Sequence, residues 1–224
     1  SDVCSSDLSR DEVQFKTGYS YFITKRFPQA KAEFASLKEN TRSEWYYPAN
    51  YYSGCCSFFE GKYDDAAKAF TRCEQNDKYK SAVPYYIAQI YANKKQYDQV
   101  ISYGAPKAQD TNVKNRAELN LIVGQAYYEK GDYKKALPYL EYAVTNGADL
   151  RPSDYYQLGY AQYRSGYFKE AAMNFEQLDK EWEEKPIDFL GAEAPKTGGC
   201  GGNGGGCGSG GCGGGTPQLL EKMM

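Results

Sequence analysis

Histidine is absent from all 224 residues. That removes Ser-His-Asp and Cys-His arrangements and any His-ligated metal. It also removes the commonest general base, leaving carboxylates, Lys and Cys as catalytic candidates. No segment approaches about 18 consecutive apolar residues, so no membrane-spanning helix is expected. An excess of one charge is missing too: 27 basic against 29 acidic residues leave a formal charge of −2. Nothing electrostatic favours nucleic acid or an anionic membrane as a partner. No GK[ST] follows a glycine run, so no phosphate-cradling loop is expected. Cysteine is neither dense nor even in number. Seven are spread as Cys4, Cys55, Cys56, Cys73, Cys200, Cys207 and Cys212. They do not form the framework of a small disulfide-stapled domain, and they do not fix a redox compartment.

What the chain has in quantity is tyrosine, 23 in all, set in a repeat. Five stretches align: KRFPQAKAEF, GKYDDAAKAF, KKQYDQVISYG, GDYKKALPYL and GYFKEAAMNF. Upstream of each lies a second pattern: TGYSYFI, SGCCSFF, IAQIYA, VGQAYYEKG and LGYAQYRSG. Its small residues, Gly18, Gly54, Ala88, Gly124 and Gly159, are separated by 36, 34, 36 and 35 positions. The second stretches carry Ala30, Ala66, Val100, Ala136 and Ala171 at a matching place.

This pattern resembles the tetratricopeptide repeat (TPR) family, whose unit is a helix–turn–helix of about 34 residues. The resemblance covers residues 11–182 and implies an all-α, right-handed solenoid of about five TPR-like repeats with disordered ends. The repeats are expected at about 11–42, 47–78, 81–112, 117–148 and 152–183. Small residues at motif positions 8 and 20 let the paired helices approach closely. Position 24 is Phe34, Phe70, Gly104, Leu140 and Phe175. Gly104, followed by Pro106, predicts a short or bent second helix in the third repeat. Gly61, Gly131 and Gly166 fall at turns between paired helices. Pro138, deep in its helix, is expected to kink it.

The resemblance also implies a concave groove lined by the first helices. Its positions 5, 9 and 12 give Phe15, Tyr19, Phe22, Tyr51, Phe58, Tyr85, Gln89, Gln125, Tyr128, Tyr156, Tyr160 and Tyr163 as groove candidates, an aromatic set with few charges. Carboxylate-clamp members of the family hold chaperone tails with Lys, Asn and Arg. Those residues are missing here, so such a tail is not the expected ligand. An apolar peptide or protein segment suits the groove better. The alternative is that the rings pack repeat on repeat. The exposure of Tyr51, Tyr85, Tyr156 and Tyr163 decides between the two.

Both ends depart from the pattern. SDVCSSDL resembles the translated end of a common short-read sequencing adapter, so residues 1–10 read as a non-native or disordered leader. Residues 184–216 are a Gly/Cys-rich, low-complexity tail that cannot build a core. It reads either as a linker or as sequence joined from elsewhere. Residues 217–224 look like the start of a truncated segment. Cys200, Cys207 and Cys212 lie 7 and 5 apart, wider than structural zinc pairs favour. They are weak metal candidates, and no cofactor is expected. Cys73 is expected to be a small buried packing residue. The function expected is a non-enzymatic protein-interaction scaffold. The alternatives are a helper region of a larger protein and a metal or redox role for the tail. The Tyr-rich style resembles bacterial cell-envelope TPR proteins.

Overall fold

The computed structural model of the protein describes residues 10–184. Residues 1–9 of the leader, residues 185–216 of the tail with its three Cys, and the 217–224 segment lie outside the described residues; Arg10, expected in the leader, begins α1. Those described form ten α-helices and no strand: α1 (Arg10–Ile23), α2 (Phe27–Leu37), α3 (Tyr46–Phe59), α4 (Tyr63–Cys73), α5 (Val83–Asn93), α6 (Tyr97–Ala108), α7 (Arg116–Glu129), α8 (Tyr133–Thr145), α9 (Pro152–Ser165) and α10 (Phe168–Glu184). Each odd-numbered helix pairs with the next helix, and each pair packs on the following pair, giving a TPR-like solenoid. None of these helices is long and apolar enough to cross a membrane.

Small residues set the spacing within pairs. A methyl group on Gly18 would meet the Phe34 ring at 2.6 Å, and one on Gly124 would meet Leu140 at 2.8 Å. Gly54 and Gly159 stand likewise against Phe70 and Phe175. The third pair inverts this arrangement: Ala88 takes the glycine's place, and Gly104 stands opposite it. Gly104 also lets α7 close in, since a methyl there would meet Val123 at 2.9 Å. This corrects the expectation of a short second helix in the third repeat. Its second helix, α6, runs 12 residues through Pro106 and is longer than α2 or α4 at 11. Packing of Gly104 under α7 outweighs its low helix propensity. Pro138 likewise sits inside α8, which continues past it to Thr145.

The turns inside pairs need a left-handed residue. Gly61, Gly131 and Gly166 supply it with φ of 73°, 75° and 88°. At the two other turns Lys25 and Lys95 adopt it, at φ 59° and 56°. Successive pairs are latched by buried asparagines. Asn50 Nδ2 donates to the carbonyls of Lys38 (2.9 Å) and Tyr46 (2.8 Å). Asn120 Nδ2 donates in the same way to Ala108 (3.2 Å) and Arg116 (2.8 Å). Each latch satisfies a carbonyl left open at the end of the preceding second helix.

Candidate interaction surface

Aromatic rings join one repeat to the next. The Tyr52 ring of α3 sits among Phe15 (5.9 Å), Tyr19 (5.0 Å), Phe22 (5.2 Å) and Phe34 (6.4 Å) of the first pair. One repeat on, Tyr86 of α5 sits among Tyr51 (6.4 Å), Phe58 (6.2 Å) and Phe70 (5.3 Å). Tyr52 and Tyr86 share motif position 6. The rings around them hold positions 5, 9, 12 and 24 of the preceding repeat. The first two junctions are thus each a knob set into an aromatic slot, each ring pair worth about 0.5–1.5 kcal/mol beyond its area.

That geometry redistributes the groove candidates. Phe22, Tyr51, Phe58 and Tyr85 are buried in the core, with Tyr51 only 5% and Tyr85 only 6% exposed. These four present no surface to a ligand. The physical reason is that positions 5, 9 and 12 point along the array onto the next first helix. Phe15, Tyr19, Gln89, Gln125, Tyr128 and Tyr160 are half-buried. Gln125 is also engaged: its Nε2 donates to buried Asp154 at 2.7 Å, across the last junction. Tyr156 and Tyr163 are exposed, at 38% and 53%.

The exposed rings gather on the last pair. Tyr156 stacks on Tyr160 (6.1 Å) and tilts against Phe175 (5.9 Å). Tyr163 lies 6.5 Å from Tyr160 and meets Phe168 edge-on at 5.6 Å. Phe168 is 63% exposed. The Arg164 guanidinium lies over Tyr133 (4.9 Å) and Tyr160 (5.8 Å), and its Nη1 donates to the Tyr160 hydroxyl at 3.1 Å. That contact raises the arginine's pKa. Burial, then neighbouring Tyr156, pushes the Tyr128 phenol up to about 12. The candidate list omitted Phe168 and Phe175. Their signal was present in the aligned aromatics at positions 17 and 24 of the fifth repeat. At the junction beneath this pair Gln157 stands in the place of the aromatic knob, and its buried Oε1 has no hydrogen-bond partner.

The body cysteines offer no site. Cys55, Cys56 and Cys73 are buried free thiols. Burial pushes Cys56 and Cys73 up to about 12 and Cys55 well above its usual value. Reactive thiolates need the opposite shift. Among the described residues no group of His, Cys, Asp and Glu could hold a metal ion.

No family profile matches the chain, and no curated protein matches it. Solved structures do match. A crystal structure of MamA protein is 16% identical with TM-score 0.62, over 79% of this chain and 93% of its own. MamA 41-end from Desulfovibrio magneticus RS-1 is 15% identical with TM-score 0.61, over 78% of this chain and 96% of its own. The MamA RS-1 ArsTM double mutant is 14% identical with TM-score 0.63, over 78% and 97%. At such identities the likeness is one of fold, and this chain has the TPR-like all-helical solenoid of the MamA structures.

Proposed function

We propose that the protein is a non-enzymatic scaffold that binds a peptide or protein segment on its exposed aromatic surface. The observation that carries this is the contrast between equivalent rings. Phe22 and Phe58 are buried at the position where Tyr163 is exposed, and Phe168 is more exposed still. Contiguous exposed apolar surface rimmed by polar groups marks interaction sites on folded proteins. The solenoid fold supports the reading, since stacked helix pairs make extended binding surfaces. Of the groove candidates, Tyr128, Tyr156, Tyr160 and Tyr163 remain as binding residues.

A photo-crosslinking side chain placed at Tyr163 of the full chain tests this, with Ala32 on exposed α2 as control. Labelling of a discrete protein from Tyr163 alone, lost when Phe168→Asp is added, is the expected result. Equal labelling from both sites, or none from Tyr163, overturns the reading.

A further inference from the structure

We propose that the exposed face of α9 and α10 is a slot for one amphipathic helix of a partner protein. That helix carries an aromatic knob, a small residue two positions later and an acid eight positions later. This rests on the scaffold reading above and names the partner's chemistry.

The slot is defined by the filled ones. Around Tyr52 stand Phe15, Tyr19, Phe22 and Phe34. The same motif positions in the fifth repeat are Tyr156, Tyr160, Tyr163 and Phe175. Phe27, beside the first slot, stacks on Phe59 of the incoming α3 at 5.5 Å. Its counterpart Phe168 is exposed. The first and fifth slots therefore share an aromatic character, and α3 shows what such a slot accepts. Its knob Tyr52 is followed two residues later by Gly54, which lets α3's own partner α4 close on it, so the small residue serves an incoming helix that is itself paired. The pairs Tyr86/Ala88 and Ile122/Gly124 repeat that spacing.

Charge sets the third feature. Lys94 and Lys130, eight residues after their knobs, pair with Asp64 and Asp98 of the preceding repeat. The fifth repeat carries Lys169 at the place of those aspartates. The incoming helix thus needs an acid there; Glu60, the residue just past α3, stands eight after its knob and pairs with Lys31 of the first repeat.

Two nearer occupants fit less well. A second copy would offer α1, but its knob position is Lys16, exposed beside Thr17 and Ser20. The chain's own Phe189 and Gly191 repeat the ring-and-small pair. Yet Phe189 stands 14 residues past Phe175, whereas the knobs Tyr52, Tyr86, Ile122 and Gln157 stand 18, 16, 18 and 17 residues past Phe34, Phe70, Gly104 and Leu140, the same motif position of the preceding repeats.

The test titrates the full chain with a labelled synthetic peptide of residues 46–62, with Cys55 and Cys56 replaced by Ala, read by fluorescence anisotropy. We expect saturable binding of one peptide per chain. Tyr52→Lys in the peptide, or Phe168→Ala in the protein, should weaken it about tenfold. Lys169→Glu should weaken it about twofold, restored by Glu60→Lys in the peptide. Binding indifferent to Phe168→Ala, or no binding, overturns the proposal. Binding that appears only in the Phe189→Ser chain assigns the slot to its own segment and also overturns it. So does a concentration-dependent dimer that the peptide fails to dissociate. A chain that cross-links a partner through Tyr163 yet ignores the peptide keeps the scaffold reading and loses this one.

Discussion

Tyr86→Ala should be among the costliest single changes in the array. The Tyr86 side chain is 1% exposed and touches the rings of Tyr51, Phe58, Phe70 and Tyr85. Deleting a buried ring of this kind costs about 3–5 kcal/mol, because the lost transfer energy is joined by a cavity the neighbours only partly fill. Tyr86→Phe keeps the ring in its slot and should cost much less than Tyr86→Ala. In a linear array stability is a sum of repeat and nearest-neighbour terms, so the loss falls on one junction. Urea unfolding of Tyr86→Ala, followed by circular dichroism, should therefore split or broaden into two steps. Phe168→Ala is the matched control. It removes a ring of similar size from the exposed last pair and should change stability by no more than about 0.5 kcal/mol. Equal costs for the two variants, or less than about 1 kcal/mol for Tyr86→Ala, would refute the knob-and-slot reasoning.

Three further outcomes follow from the same geometry. Lys95→Gly relieves a left-handed residue and should gain about 1 kcal/mol, while Gly131→Ala, with open space around it, should lose about as much through backbone strain alone; thermal unfolding reads both. Ala136 is fully buried at a helix crossing, so Ala136→Phe should overpack it and cost about 1–3 kcal/mol; an unchanged Tm would contradict the register. Burial pushes Tyr79 and Tyr85 up to about 12, and Tyr51, Tyr52 and Tyr86 further. An unfolded tyrosine ionises near pH 10, so above that pH the unfolded chain releases protons that the folded chain retains. The stability these groups give is complete below about pH 10 and is lost as pH rises toward about 12. Tyrosinate absorbance and helix content should change together in alkali; full ionisation with helix intact would contradict the burial.

Much of the fold was legible because it is written in size and period. Gly18, Gly54, Gly124 and Gly159 are small because a ring or a leucine presses on each. That constraint recurs with the repeat. The turns at Lys25 and Lys95 were less visible, since nothing in a lysine announces a left-handed backbone. The third repeat misled for a different reason. Gly104 read alone is a helix weakener, but read against Ala88 and Val123 it is the second half of a size exchange. Four of the twelve surface candidates, Phe22, Tyr51, Phe58 and Tyr85, were misplaced for a similar reason. Helical periodicity tells that positions 5, 9 and 12 share a face. It does not tell what that face meets, which depends on how successive pairs are rotated. Hence Tyr51 and Tyr85 are core residues, while Tyr156 and Tyr163, alike in sequence, are surface.

Among the described residues, motif positions that are buried at the first junctions are exposed on the last pair. Hydroxyl-radical footprinting of the full chain, resolved residue by residue by mass spectrometry, tests it most directly. Tyr163 and Phe168 should label readily while Tyr51, Tyr85 and Tyr86 stay protected. Protection of Tyr163 and Phe168 equal to that of Tyr86 would contradict it.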